Sequence, residues 1–138
     1  MRTRLDTAVR PSFHLRLQAR PEAASGLRQQ LRVWLDELGA KPPDASDIWL
    51  AATEALANAV EHPYQPSARL IDVAGSISDR TVTITIHDFG SWRELRQREE
   101  GGYGFPMMRQ LMDAVEVHTC AEGTSVTLQR RLDSPVRE

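Results

Sequence analysis

The chain has 138 residues, 41% of them hydrophobic, and a net charge of −2. That length suits one domain with a real core, and the near-balanced charge excludes a strong pull toward nucleic acid or anionic membrane. A single cysteine, Cys120, excludes an intrachain disulfide, and no apolar run follows Met1-Arg-Thr-Arg-Leu-Asp to make a signal peptide or membrane span.

In chain order, Phe13, Leu15 and Leu17 alternate with polar residues, which predicts a half-buried strand. Pro21 suits a first helical position, and Ala24, Leu27, Leu31, Trp34, Leu35 and Leu38 then recur at helical spacing until Gly39. After a short, stiff loop from Ala40 to Pro43, Asp44 or Ser46 can cap a second helix running to about His62, where Pro63 and Pro66 end it. Ile71, Val73 and Ile77, a turn at Ser78-Asp79-Arg80, then Val82, Ile84 and Ile86 spell a hairpin. Phe89 to Gly101 is polar and without period, hence a loop. Gly104 to Met112 reads as a short helix with Pro106 in its first turn. Val115 and Val117, then Val126 and Leu128, close the sheet around Ala121-Glu122-Gly123, and the tail after Leu132 is polar. Cys120 reads as a buried, inert thiol in a strand.

Segregated hairpins predict an α+β two-layer α/β sandwich: a mixed, mostly antiparallel sheet with helices on one face. The expectation is one cytoplasmic domain over residues 1–138, ordered from about 12 to about 132.

Four segments carry chemistry. On the second helix, Ile48, Ala52, Ala55 and Ala59 make a narrow apolar stripe, and Glu54 and Asn58 stack beside it, one turn apart. An amide oxygen there suits Mg²⁺, which takes hard oxygen ligands and keeps several waters. Asp88 ends an alternating strand, where a buried carboxylate can accept a hydrogen bond from an exocyclic amine such as adenine's. Gly90 lets the backbone approach the base. Gly102-Tyr103-Gly104-Phe105 opens a helix, and free N–H groups at such an end attract phosphate. Gly123-Thr124 opens the last strand. Each segment alone has an ordinary reading: solvated helix polars, an Asp-x-Gly turn, a chance Gly-x-Gly, a hairpin turn. Trp34 and Trp49 read as packing residues, Glu61 as a surface residue.

In this order the segments resemble the GHKL ATP-binding superfamily, and within it the small bacterial anti-sigma-factor serine kinases. The resemblance spans about Phe13 to Leu132. It implies the Bergerat fold, ATP and Mg²⁺. Glu54-Ala-Leu-Ala-Asn58-Ala-Val-Glu-His62 matches the family's E-x-x-x-N-A-x-x-H. By that match Glu54 is the general base, Asn58 the Mg²⁺ ligand bridging to phosphate, and His62 the motif's last position; a helix-end histidine facing terminal carbonyls is an equal reading of His62. Asp88 and Gly90 match the adenine-reading D-x-G, Gly102, Gly104 and Phe105 the second glycine box, and Thr124 the hydroxyl that holds the adenine end.

The sequence departs from the family pattern at Pro63 after the histidine, at Trp92 in place of a second glycine, and at Glu99-Glu100 before the second box. Arg93, Arg96 and Arg98 in the ATP lid are candidate phosphate contacts, with a solvated charge run as the alternative for each. The resemblance implies a homodimer whose partners are a sigma factor and an anti-sigma-factor antagonist, with neither nucleic acid nor membrane contacted directly. Three other readings stay open: an ATP-gated partner switch without kinase activity, which the lid glutamates favour; the catalytic half of a sensor histidine kinase, against which stand the short lid and the lack of a preceding dimerising helix; and a kinase domain of a larger phosphatase-containing regulator.

Overall fold

The computed structural model describes residues 10–60, 70–89, 104–120 and 123–133. Five strands and three helices follow in the order β1 (Arg10–Gln18), α1 (Ala23–Leu38), α2 (Asp44–Val60), β2 (Leu70–Ser78), β3 (Thr81–Asp88), α3 (Gly104–Leu111), β4 (Ala114–Cys120), β5 (Gly123–Arg131). The strands form one sheet in the order β1-β2-β3-β5-β4.

Every described pairing is antiparallel, so the sheet is wholly antiparallel where a mixed one was expected. The reason lies in the connections. β2–β3 and β4–β5 are hairpins, and β5 returns beside β3 running opposite to it. The α+β sandwich is otherwise as expected. Period-two alternation puts Ile71, Val73 and Ile77 of β2, Val82, Ile84 and Ile86 of β3, and Val126 and Leu128 of β5 on the buried, helix-facing side. The opposite face carries Thr81, Thr83, Thr85, Ser125 and Thr127, all half-buried. Short polar and β-branched side chains suit a strand face without a hydrophobic cover.

The β2–β3 turn is tighter than the sequence implies. Ser78 pairs with Thr81, leaving Asp79 and Arg80 as a two-residue loop with φ of 51° and 69°. Two positive φ values mark the turn whose twist matches the flanking strands, a place normally held by Asn-Gly. Arg80 is held there from outside. Its Nη2 donates to the carbonyls of Leu132 (2.9 Å) and Asp133 (2.6 Å), and its own carbonyl accepts the N–H of Leu132.

In α1, Ala23, Leu27, Leu31, Trp34, Leu35 and Leu38 form the buried stripe. Gly39 ends the helix in the left-handed region at φ 83°, and the N–H of Ala40 returns to the carbonyl of Leu35 at 3.0 Å. The helix begins at Ala23 rather than at Pro21, which lies in the preceding turn. Trp34 is a packing residue, as read. It stacks on Phe13 with ring centroids 5.4 Å apart and covers Gly75, where an added Cβ would meet the indole at 3.0 Å. In α2 the buried face is wider than the narrow stripe read from the wheel. It takes in Ala51, Leu56 and Asn58 as well as Ile48, Ala52, Ala55 and Ala59. Four of these are alanines with no side chain beyond Cβ, so the helix can lie close to the sheet and its buried arc broadens. Asp44 does not cap α2. It is the first helical residue and its carboxylate is used elsewhere, as described below. α3 ends at Leu111, one residue before the expected Met112.

Candidate functional site

The strand end that carries Asp88 lies directly beside the strand start that carries Thr124. The two are register partners in the β3–β5 ladder. Alternation along β3 puts Asp88 on the same inward side as Val82, Ile84 and Ile86, so its carboxylate is buried at 3% exposure. Gly123 makes the juxtaposition possible. It sits at φ 139°, and a Cβ there would fall 2.2 Å from the carbonyl oxygen of Asp88 and 2.9 Å from the Cα of Phe89. Only a residue without a side chain lets β5 start this close under the end of β3.

Thr124 is 2% exposed, and its Oγ1 has no hydrogen-bond partner among the described residues. A buried hydroxyl left unmatched costs about 1–3 kcal/mol. Such a group is expected where a ligand or bound water completes it.

α2, which carries the metal-ligand candidate, packs against both β3 and β5. Asn58 lies within the buried face of α2, and Glu54, one turn earlier, is half-buried. Among the described residues the buried polar side chains are Asp44, Asn58, Asp88 and Thr124. Three of these four, Asn58, Asp88 and Thr124, are the ones the sequence placed in the site. Burial of a polar side chain needs a reason, and the three lie on elements that pack together.

α3 packs against α2 and starts at Gly104. Phe105, Met108 and Met112 sink into the core, with Phe105 at 2% exposure. The guanidinium of Arg109 lies over the Phe105 ring at 5.7 Å. The Phe105 side chain therefore anchors the helix in the core. His62, Gly90 and Gly102 lie outside the described residues, as do the lid arginines Arg93, Arg96 and Arg98 and the Glu99-Glu100 pair. The side chain of Cys120 is likewise outside them.

Two polar clusters were missed from sequence. In the first, Arg130 of β5 donates through Nη2 to Asp44 Oδ1 at 2.9 Å and through Nη1 to Asp47 Oδ2 at 2.6 Å and to the carbonyl of Leu111. Asp44 Oδ2 also accepts the N–H of Asp133 at 2.7 Å. Burial alone would favour a neutral Arg130, but its hydrogen bonds and charge contacts with Asp47 and Asp44 outweigh that and raise its pKa. No local signal links residues 86 positions apart.

The second cluster is on the open face. Arg16 holds Asp72 through two nitrogens, at 2.7 and 2.9 Å, and His87 Nδ1 lies 2.7 Å from Ser125 Oγ. The hydrogen bonds from Arg16 lower the Asp72 pKa below its ordinary 3.8, against a smaller desolvation effect. Trp49, read as packing, donates from Nε1 to the carbonyl of Arg28 at 3.1 Å, and Arg32 lies over its ring at 5.0 Å.

A buried acid and a buried hydroxyl thus stand side by side where β3 ends and β5 begins. The histidine kinase-like ATPase domain matches residues 17–130. The chain belongs to this family. Among relatives named anti-sigma F factor, the protein of Clostridium acetobutylicum is 25% identical over 132 residues, covering 86% of this chain and 92% of its own length. That of Anoxybacillus flavithermus is 29% identical over 139 residues, covering 90% and 94%. A crystal structure of the RsbU and RsbW domains of a Mycobacterium tuberculosis protein superposes with a TM-score of 0.75 at 36% identity. It matches 93% of this chain, which spans 34% of that longer one.

The site's chemistry fits the ATP that an ATPase domain binds. The orphan Thr124 hydroxyl and the buried Asp88 carboxylate supply one donor or acceptor and one acceptor at the strand end. Among the described residues no three His, Cys, Asp or Glu side chains gather to hold a metal. Mg²⁺ takes hard oxygen ligands and keeps several waters, and the Asn58 amide, on the buried face of α2, is of that ligand type. No helix among the described residues is long and apolar enough to cross a membrane.

Proposed function

We propose that this chain is an anti-sigma factor that binds Mg²⁺·ATP and phosphorylates a serine on a small antagonist protein, releasing its sigma factor when antagonist engages it. The observation that carries the reading is the buried, unpartnered Thr124 hydroxyl beside buried Asp88 in the matched family domain. The relatives named anti-sigma F factor, matched over most of both chains, support the choice of partner class. The working form is a cytoplasmic homodimer.

In this reading Asp88 accepts from the adenine amine and Thr124 completes the base end. Asn58 offers its amide oxygen to Mg²⁺, and bound Mg²⁺ supplies charge neutralisation at the phosphate oxygens. His62, Gly90, Gly102, Gly104 and the Phe105 backbone complete the nucleotide contacts. Glu54 accepts the serine proton as Oγ bonds to the γ-phosphorus and the bond from that phosphorus to the ADP oxygen breaks. Phosphoryl transfer asks the protein chiefly for position and charge. One well-placed acid on the turn before Asn58 meets that need.

The test is transfer of label from γ-labelled ATP to the antagonist, alongside co-purification with each sigma factor of the host. Glu54→Gln keeps shape and hydrogen bonding while removing the basic oxygen. Transfer is expected to fall roughly 100-fold or more, the scale of a lost general base, with ATP binding retained. Undiminished transfer by the variant rules out Glu54 as base. Absence of any sigma-factor complex rules out the partner class.

A further inference from the structure

The Arg130 cluster joins three elements through charge. From β5, the guanidinium reaches Asp44 and Asp47 in the first turn of α2 and the carbonyl of Leu111, the last residue of α3. Its side chain is 14% exposed and that of Asp44 is 3% exposed, so the cluster is largely removed from solvent. The geometry also matches the helix dipoles. Acids sit at the positive end of α2, and a cation sits at the negative end of α3.

α3 is only 8 residues long, about 12 Å at 1.5 Å per residue. So short a helix has little stability of its own and takes its direction from what holds it. Phe105, Met108 and Met112 hold one side through non-directional apolar contact. The Leu111 carbonyl, one of the terminal acceptors a helix leaves unpaired, is held by a directional, charge-assisted bond. A tilt at that end moves the Gly104 end relative to α2, which carries Glu54 and Asn58.

We infer that Arg130 is a positioning residue for the phosphate end of the nucleotide site, setting the start of α3 against Asn58 by clamping the end of α3 to the start of α2. This rests on the ATP-binding reading above. In this inference Arg130 acts through Leu111 and Asp47, not by contacting the nucleotide itself. Its effect therefore falls on ligands with phosphates and spares the base end formed by Asp88 and Thr124.

The experiment compares Mg²⁺·ATP and adenosine affinities by calorimetry for wild type, Arg130→Lys, Arg130→Met and Asp47→Asn, with thermal unfolding of each. Arg130→Met is expected to weaken ATP binding on the order of tenfold or more, as a shifted phosphate contact would. Adenosine affinity should stay within about twofold, because no contact of the base end is altered. Arg130→Lys keeps the charge without the planar fork and should recover part of the loss. Asp47→Asn leaves the Leu111 and Asp44 contacts in place and should give a smaller loss of the same kind. That variant carries the comparison if Arg130→Met does not fold. Equal losses for ATP and adenosine, tracking the fall in melting temperature, would mean a merely structural clamp and overturn the inference. Unchanged ATP affinity in a folded Arg130→Met protein overturns it too. Wild type that binds neither ligand brings down the ATP-binding reading, and this inference with it; wild type that binds both while the variants keep its ATP-to-adenosine ratio brings down this inference alone.

Discussion

Thr124 separates a binding role from a folding role at a single atom. Its Oγ1 is buried and bonds to nothing among the described residues. Replacing a buried, unsatisfied hydroxyl with a methyl group removes a desolvation cost without removing a bond. Thr124→Val is therefore expected to leave the melting temperature of the free protein unchanged or raise it slightly. ATP affinity should fall roughly fivefold to tenfold, the worth of one hydrogen bond of about 1–1.5 kcal/mol. Calorimetry with parallel thermal melts checks both halves. A marked loss of stability without ligand would show that the hydroxyl serves the fold. Threonine in a Gly-Thr pair is an ordinary turn residue by sequence; burial and the missing partner set this one apart.

At the scale of elements, the meeting of β3 and β5 depends on Gly123. Its φ of 139° and the 2.2 Å approach of Asp88 oxygen to a notional Cβ are two separate obstacles to any side chain. Gly123→Ala is expected to destabilise the protein by more than about 2 kcal/mol, since backbone strain and a backbone clash add. It should also weaken nucleotide binding by moving Asp88 against Thr124. Urea unfolding gives the first number and calorimetry the second. A midpoint within error of wild type would show that the strand ends relax freely. The α2 helix tells a related story. Its alanines were legible as a close-packing face, but the burial of Asn58 inside that face was not. A wheel gives only angular order, and how much of the circumference is covered depends on how near the sheet and α3 come.

At the scale of the molecule, stability should fall in acid partly through the open face of the sheet. Arg16 on the edge strand β1 holds Asp72 on β2 and keeps its pKa below 3.8. A carboxylate whose folded pKa is depressed contributes stability above its unfolded pKa and loses it as pH falls through the folded value. The advantage of wild type over Asp72→Asn should thus be present at neutral pH, begin to fall below about pH 4 and be gone only below the folded value. It should be small and shrink in salt, because Arg16 is solvent-exposed. Denaturant unfolding across pH 2.5 to 7 (roughly the span from below to well above a carboxylate pKa) makes the comparison. A constant gap between the two proteins at all pH values would contradict the assignment.

The sequence by itself determined what depends on neighbours along the chain. Alternation in β2, β3 and β5, the helical spacing of Leu27, Leu31, Trp34 and Leu38, and the stop at Gly39 are local consequences of backbone geometry. The order of Glu54, Asn58, Asp88 and the glycine pairs was enough to indicate the family. Tertiary structure decided what depends on residues distant in the chain. The insertion of β5 between β3 and β4 makes the sheet wholly antiparallel and brings Thr124 to Asp88. The same insertion brings Arg130 to Asp44, a residue that locally looks like a helix cap. It also lets Leu132 and Asp133 hold Arg80 in a turn that its own sequence does not favour. Hydrogen bonds and ion pairs act over a few ångströms of space. Their partners are legible only once the sheet order has placed strands far apart in sequence side by side.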